Sequence, residues 1–126
     1  MSQVPPRADL QTHEVVNQPP ARGDVDLWGE DPALRDHADA VGADVAHLAR
    51  YGAQIGTAQM QEAGRLANRH GPEAVLFDAG GRRLDEVHFH PAYHDLMRVG
   101  IGAGYAALPW EGATGGHASH AAMVYL

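Results

Sequence analysis

The sequence predicts a mostly α-helical fold with one β-hairpin, preceded by an extended N-terminal arm. Three observations carry that expectation. Capping residues and glycine stops bracket segments with helical apolar spacing, the spacing turns strand-like over residues 74–88, and residues 1–30 hold no sustained period.

Residues 1–30 are rich in Pro, Gly, Asp and Gln, and Leu27-Trp28 is the one evident anchor of this arm. A helical domain is expected over 31–126. Asp31 and Pro32 read as the N-cap and first residue of a first helix, with Leu34, Ala38 and Val41 on one face and Gly42 as its stop. Asp44 caps a second, whose apolar face is Val45, Leu48, Ala49 and Ile55 and which Gly56 ends. Thr57 opens a third, with Met60, Ala63, Leu66 and Ala67 in register before Gly71-Pro72.

The period then changes. Ala74–Asp78, a Gly80-Gly81 turn and Arg82–His88 form a hairpin, with Val75 and Phe77 expected opposite Val87 and Phe89. Pro91 begins a fourth helix with Tyr93, Leu96, Met97 and Ile101 on its apolar face; Gly100 and Gly104 would let another helix approach. Leu108-Pro109-Trp110 ends it. After Gly115-Gly116, a fifth helix places Ala118, Ala121, Ala122 and Tyr125 at i, i+3, i+4, i+7. It meets no stop signal before Leu126, so the domain is expected to be incomplete and cut within a helix.

Composition narrows the chemistry. Of 126 residues, Leu, Ile, Val and Phe make up 24, whereas alanine alone makes up 22, which favours helices but buries little area. So thin a core is expected to need a ligand, a metal or more protein. There is no cysteine, which excludes disulfides, thiolate metal sites and thiol nucleophiles, and no lysine, which excludes Schiff-base and P-loop chemistry. A net charge of −7 without a basic run makes the segment a poor binder of nucleic acid or anionic membrane. No leader-like or transmembrane-length run occurs, so a cytoplasmic location and no membrane partner are expected.

Nine histidines make a metal site worth testing. On a strand, His88 and His90 would point the same way, and His90 and His94 would span the first turn of the next helix, leaving an open coordination position. The competing assignment makes His90 an N-cap, His94 a locally packed side chain and His88 a solvated strand residue. With no HExxH and no acidic residue at ligand spacing, that assignment is preferred. Arg82 and Arg83 could clamp an oxyanion but are expected to pair with Asp78, Asp85 or Glu86; Arg65 and Arg69 read as a solvated helix face. Trp28 and Trp110 read as anchors. Gly100-Ile101-Gly102-Ala103-Gly104 lies within a helix rather than after a strand, so it is no nucleotide loop, and neither Ser2 nor Ser119 sits in a nucleophile elbow. No catalytic, cofactor-binding or metal residue is assigned.

Several motifs do form a recognisable series. Thr12-His13-Glu14-Val15 with Asn17-Gln18-Pro19-Pro20, Leu66-Ala67-Asn68, Gly81-Arg82-Arg83-Leu84-Asp85-Glu86-Val87, Phe89-His90-Pro91-Ala92 with His94, and Leu108-Pro109-Trp110 stand in order from Thr12 to the last residue. The sequence thereby resembles the N-terminal helical region of the adaptive-response, AidB-like branch of acyl-CoA dehydrogenase-family flavoproteins, induced by alkylating agents. It departs locally: Tyr93 stands where the family usually has Trp, Gly71 where it has a second Pro, and His88 where a non-His residue is common.

The resemblance implies the N-terminal helical domain of the acyl-CoA dehydrogenase fold, within an FAD-binding homotetramer that also has a β domain and a C-terminal helical domain. It places the flavin contacts, the catalytic glutamate and the basic DNA-binding surface downstream of Leu126. On that view this chain walls the substrate cleft and subunit interface, is inert alone and binds no FAD by itself. Its partners would be the remainder of the flavoprotein and its oligomeric subunits, with an acyl-CoA-like substrate and DNA met only through the downstream domains. Two other readings compete: a free-standing helical interaction module, and a metal-binding protein using His88, His90 and His94.

Overall fold

A computed structural model of the chain describes residues 22–126. Residues 1–21, which hold most of the expected arm and the Thr12–Pro20 motifs, lie outside the described residues. Five helices and one antiparallel hairpin follow in the order α1 (Pro32–Ala40), α2 (Val45–Ile55), α3 (Ala58–Arg69), β1 (Glu73–Phe77), β2 (Arg83–His88), α4 (Pro91–Gly102) and α5 (Gly116–Tyr125).

The helix starts follow from side chains that satisfy otherwise unpaired amides. Asp31 accepts from the Leu34 amide and Asp44 from the His47 amide, each at 2.9 Å. Thr57 accepts from Met60 at 3.3 Å, and His90 Nδ1 accepts from the Ala92 amide at 3.1 Å. Proline occupies the first turn of α1 and α4, where its missing donor costs nothing. The stops are less uniform. Gly42 takes the left-handed conformation that suits glycine after α1, whereas Gly56 ends α2 in ordinary helical conformation. What requires a glycine at position 56 is proximity, since a Cβ there would strike the Val25 carbonyl.

The core sits where α1, α2 and α5 meet, around Trp28, Ala38, Leu48, Ala122 and Met123. Trp28 is carried by a turn in which Asp26 accepts from the Gly29 and Glu30 amides, and it lies on α2 at Gly52. A Cβ at Gly52 would stand 2.7 Å from that of Trp28, so the close approach needs glycine. Leu48 is fully enclosed. Ser119 is enclosed too and accepts from the Asp44 amide, fastening α5 to the start of α2. At the other end of the molecule α3 packs along α4, and Ala63 and Ala92 are buried.

Three expectations about packing are corrected. In α5 the buried residues are Gly116, Ser119, Ala122 and Met123; Ala121 and Tyr125 are exposed. The helix is apolar nearly all round, so spacing alone selects no face. Val41 is exposed rather than on the inner face of α1. In the hairpin, Val75 pairs with Glu86 and Phe77 with Arg83 rather than with Val87 and Phe89. Leu84 and Asp85 together oppose the single residue Leu76, and Asp85 takes a positive φ of 52°. That bulge shifts the register, and β2 ends before Phe89.

Candidate functional site

The end of the molecule where α3, the hairpin and α4 join gathers the histidines that the sequence singled out. His88 points its Nε2 at Glu86, 2.9 Å away. His90 caps α4 and stacks on His70, with ring centroids 5.0 Å apart. His94 sets its ring edge-on to Phe89 and Tyr93, which stack on each other at 4.2 Å. The three imidazoles therefore serve three different partners. Because β2 stops at His88, His88 and His90 do not share a strand face, so the alternation that would have made them converge is lost. Among the described residues no three His, Asp or Glu side chains group as metal ligands.

The arginines flagged in the sequence are held by local carboxylates. Arg82 bonds Asp78 at 2.7 Å, Arg83 bonds Asp85 at 2.6 Å, and Arg65 makes a two-pronged contact with Glu62 at 2.5 and 2.7 Å. The backbone amide and guanidinium of Arg82 hold the Asp78 carboxyl below the ordinary carboxylate range, and Arg65 does the same to Glu62. All of these pairs are on the surface, where each contributes little to stability. Trp28 anchors as expected. Trp110 does not: it is 85% exposed. No other element of the described residues comes within 4 Å of a Cβ built at Gly100, so the expected close approach of another helix is not made there.

What remains is apolar surface. Along α4, Met97, Ile101 and Tyr105 are exposed and, with Leu96 and with Tyr51 of α2, line a hollow of about 340 Å³. A second, almost wholly apolar groove of about 280 Å³ runs between α1 and α5, past Leu34, Val41, Ala118 and Ala121. The hairpin adds Leu76, Phe77 and Val87, each more than half exposed. Contiguous exposed apolar surface of this kind marks interaction sites. The sequence carried no sign of a further feature, a polar cleft between α2 and α4. Its lining residues come from distant parts of the chain and form no motif.

Residues 17–126 match the family described as the adaptive response protein AidB N-terminal domain. The chain belongs to that family. Among curated proteins, this AidB-type domain is 46% identical over 103 residues to the putative acyl-CoA dehydrogenase AidB of Escherichia coli strain K12. The match takes in 80% of the chain but only 19% of the E. coli protein. Among solved structures, it is similar to Caenorhabditis elegans ACDH-11, crystallised in complex with C11-CoA, with a TM-score of 0.59 and 16% identity. That alignment covers 97% of the AidB-type chain and 22% of ACDH-11. At this identity the likeness establishes fold: a helical domain with one hairpin, of the acyl-CoA dehydrogenase N-terminal type. No helix among the described residues is long and apolar enough to cross a membrane.

Proposed function

We propose that this chain is the N-terminal helical domain of an FAD-dependent, acyl-CoA dehydrogenase-like protein of the cytoplasmic alkylation-damage response, and that it has no catalytic activity alone. In that role it walls the substrate cleft and contributes to packing between subunits, while flavin, acyl-CoA-type substrate and DNA are met by other domains.

The observation that carries this reading is the exposed apolar surface on α4 and the hairpin, at Met97, Ile101, Tyr105, Phe77 and Val87. Such residues are costly to leave in water, at about 25 cal/mol per Å² of apolar surface. Their exposure accords with a domain made to be covered by more protein. The chain spans about one fifth of the length of the curated relative it matches, and the remainder of a protein of that length would supply the covering material.

The test is flavin retention. The 126-residue chain and a version continued through the length of the E. coli relative would each be mixed with FAD and passed through gel filtration. Flavin is expected to leave with the solvent for the short chain and to stay with the long one. Stoichiometric flavin on the short chain would overturn the assignment of the cofactor to other domains. Failure of the long chain to hold flavin would overturn the family-level function itself.

A further inference from the structure

The backbones of helices α2 and α4 do not approach each other closely among the described residues, whereas α3 packs against both. The space left between them is a cleft of about 500 Å³. From α2 it receives His47, Arg50, Tyr51 and Gln54, which fall at i, i+3, i+4 and i+7 and so form one stripe. Arg98 enters from the facing side of α4.

The charge pattern of this cleft is unlike that of the protein. The chain carries a net charge of −7, yet two arginines and a histidine line the cleft and no carboxylate does. Arg50 has no ion-pair partner among the described residues, in contrast with Arg65, Arg82 and Arg83, which are each neutralised from their own element. Arg98 is held by Asp95 through one nitrogen, at 2.7 Å. That contact steers its guanidinium and leaves other donors of the fork uncommitted among the described residues. His47 Nε2 is shut away from solvent without a hydrogen-bond partner. Burial pushes the Tyr51 phenol above its ordinary range, so it stays neutral and can donate. Every polar side chain that lines the cleft either is a donor or can act as one.

We propose that this cleft binds a small oxyanion-bearing ligand, with Arg50 and Arg98 gripping a phosphate or carboxylate group from opposite walls and Gln54 and Tyr51 completing its hydrogen bonds. Guanidinium is the side chain suited to such a group, because its planar fork matches two oxygens at once. Both arginines are exposed at the mouth, so the ligand enters without opening the core.

Titration of the full 126-residue chain at low salt tests this, following the arginine side-chain NH resonances by NMR. Inorganic pyrophosphate and succinate serve as separate probes for the phosphate and carboxylate forms. Saturable binding of at least one probe, with a dissociation constant of about 1 mM or tighter, is expected. Arg50→Gln and Arg98→Gln should each weaken it about tenfold, the loss expected for one charged hydrogen-bonding group. Arg35→Gln, on α1 and away from the cleft, should leave it unchanged. A response to pyrophosphate alone assigns the phosphate form and a response to succinate alone the carboxylate form. No saturation of either probe by about 10 mM overturns the proposal. Equal binding by all three variants also overturns it, as an adventitious ion only.

Discussion

The Ser119 hydroxyl accepts a hydrogen bond from the Asp44 backbone amide at 2.9 Å, across 75 residues of chain. That amide precedes the first turn of α2 and has no partner within its own helix, so α5 supplies what α2 lacks. Ser119→Ala should therefore lower the unfolding free energy by about 1 to 2 kcal/mol, the cost of leaving a partly buried donor unmet. Urea denaturation measures the loss, and amide exchange at Asp44 should quicken in the same variant. An unchanged exchange rate would mean that water replaces Ser119 without penalty.

Leu48 and Ile101 separate core from surface. Leu48 is fully enclosed and Ile101 is 63% exposed. Leu48→Ala should cost about 2–5 kcal/mol, while Ile101→Ala should stay within about 0.5 kcal/mol in this chain. If α4 is covered in a longer protein, Ile101→Ala becomes markedly destabilising there, and comparing the two contexts by thermal unfolding reads the covering directly.

Acid should weaken the start of α1. The Leu34 amide, and after it the Tyr125 hydroxyl, hold the Asp31 carboxyl below its ordinary range. A carboxylate with a depressed folded value stabilises the fold above its unfolded value, and that contribution fades as pH falls through the folded one. The urea midpoint should thus decline below about pH 4, and Asp31→Asn should remove part of that decline. An identical acid limb in the two proteins would show that other carboxylates dominate.

Gly52→Ala tests the contact with Trp28. The added Cβ would crowd the Trp28 Cβ and backbone, neither of which can swing aside as the tip of a flexible side chain could. A loss of about 1–3 kcal/mol is expected, with a red shift of Trp28 fluorescence read in a Trp110→Phe background.

The parts of this fold that were legible in the sequence are those governed by local chemistry. Asp31, Asp44 and Thr57 cap helices because a short side-chain oxygen reaches an amide two or three residues on, and no distant residue is needed. Pro91 and His90 mark the start of α4 for a similar reason. The parts that were illegible depend on what lies opposite. The Leu84-Asp85 bulge is visible only against Leu76, and without it the pairing of Val75 and Phe77 comes out wrong. The inner face of α5 is chosen by α2 and Trp28, not by its own alanines. Trp110 looked like an anchor by its size, and the described residues offer it no pocket. Of the candidate sites, the separate fates of His88, His90 and His94 could be argued from residue type, whereas the placing of Arg50 and Arg98 on one cleft arises only from how the helices pack.

The hairpin's strands pair with each other, and their backbone lies close to no helix backbone among the described residues. Two strands without a packed face are marginal in water, so the Glu73–His88 ladder is held by little beyond its own backbone bonds and the Asp78 turn. It should open far more often than the helices beside it, on its own and without global unfolding. Deuterium uptake there then becomes a built-in gauge: rapid in the chain alone, and slowed by whatever settles onto Phe77 and Val87.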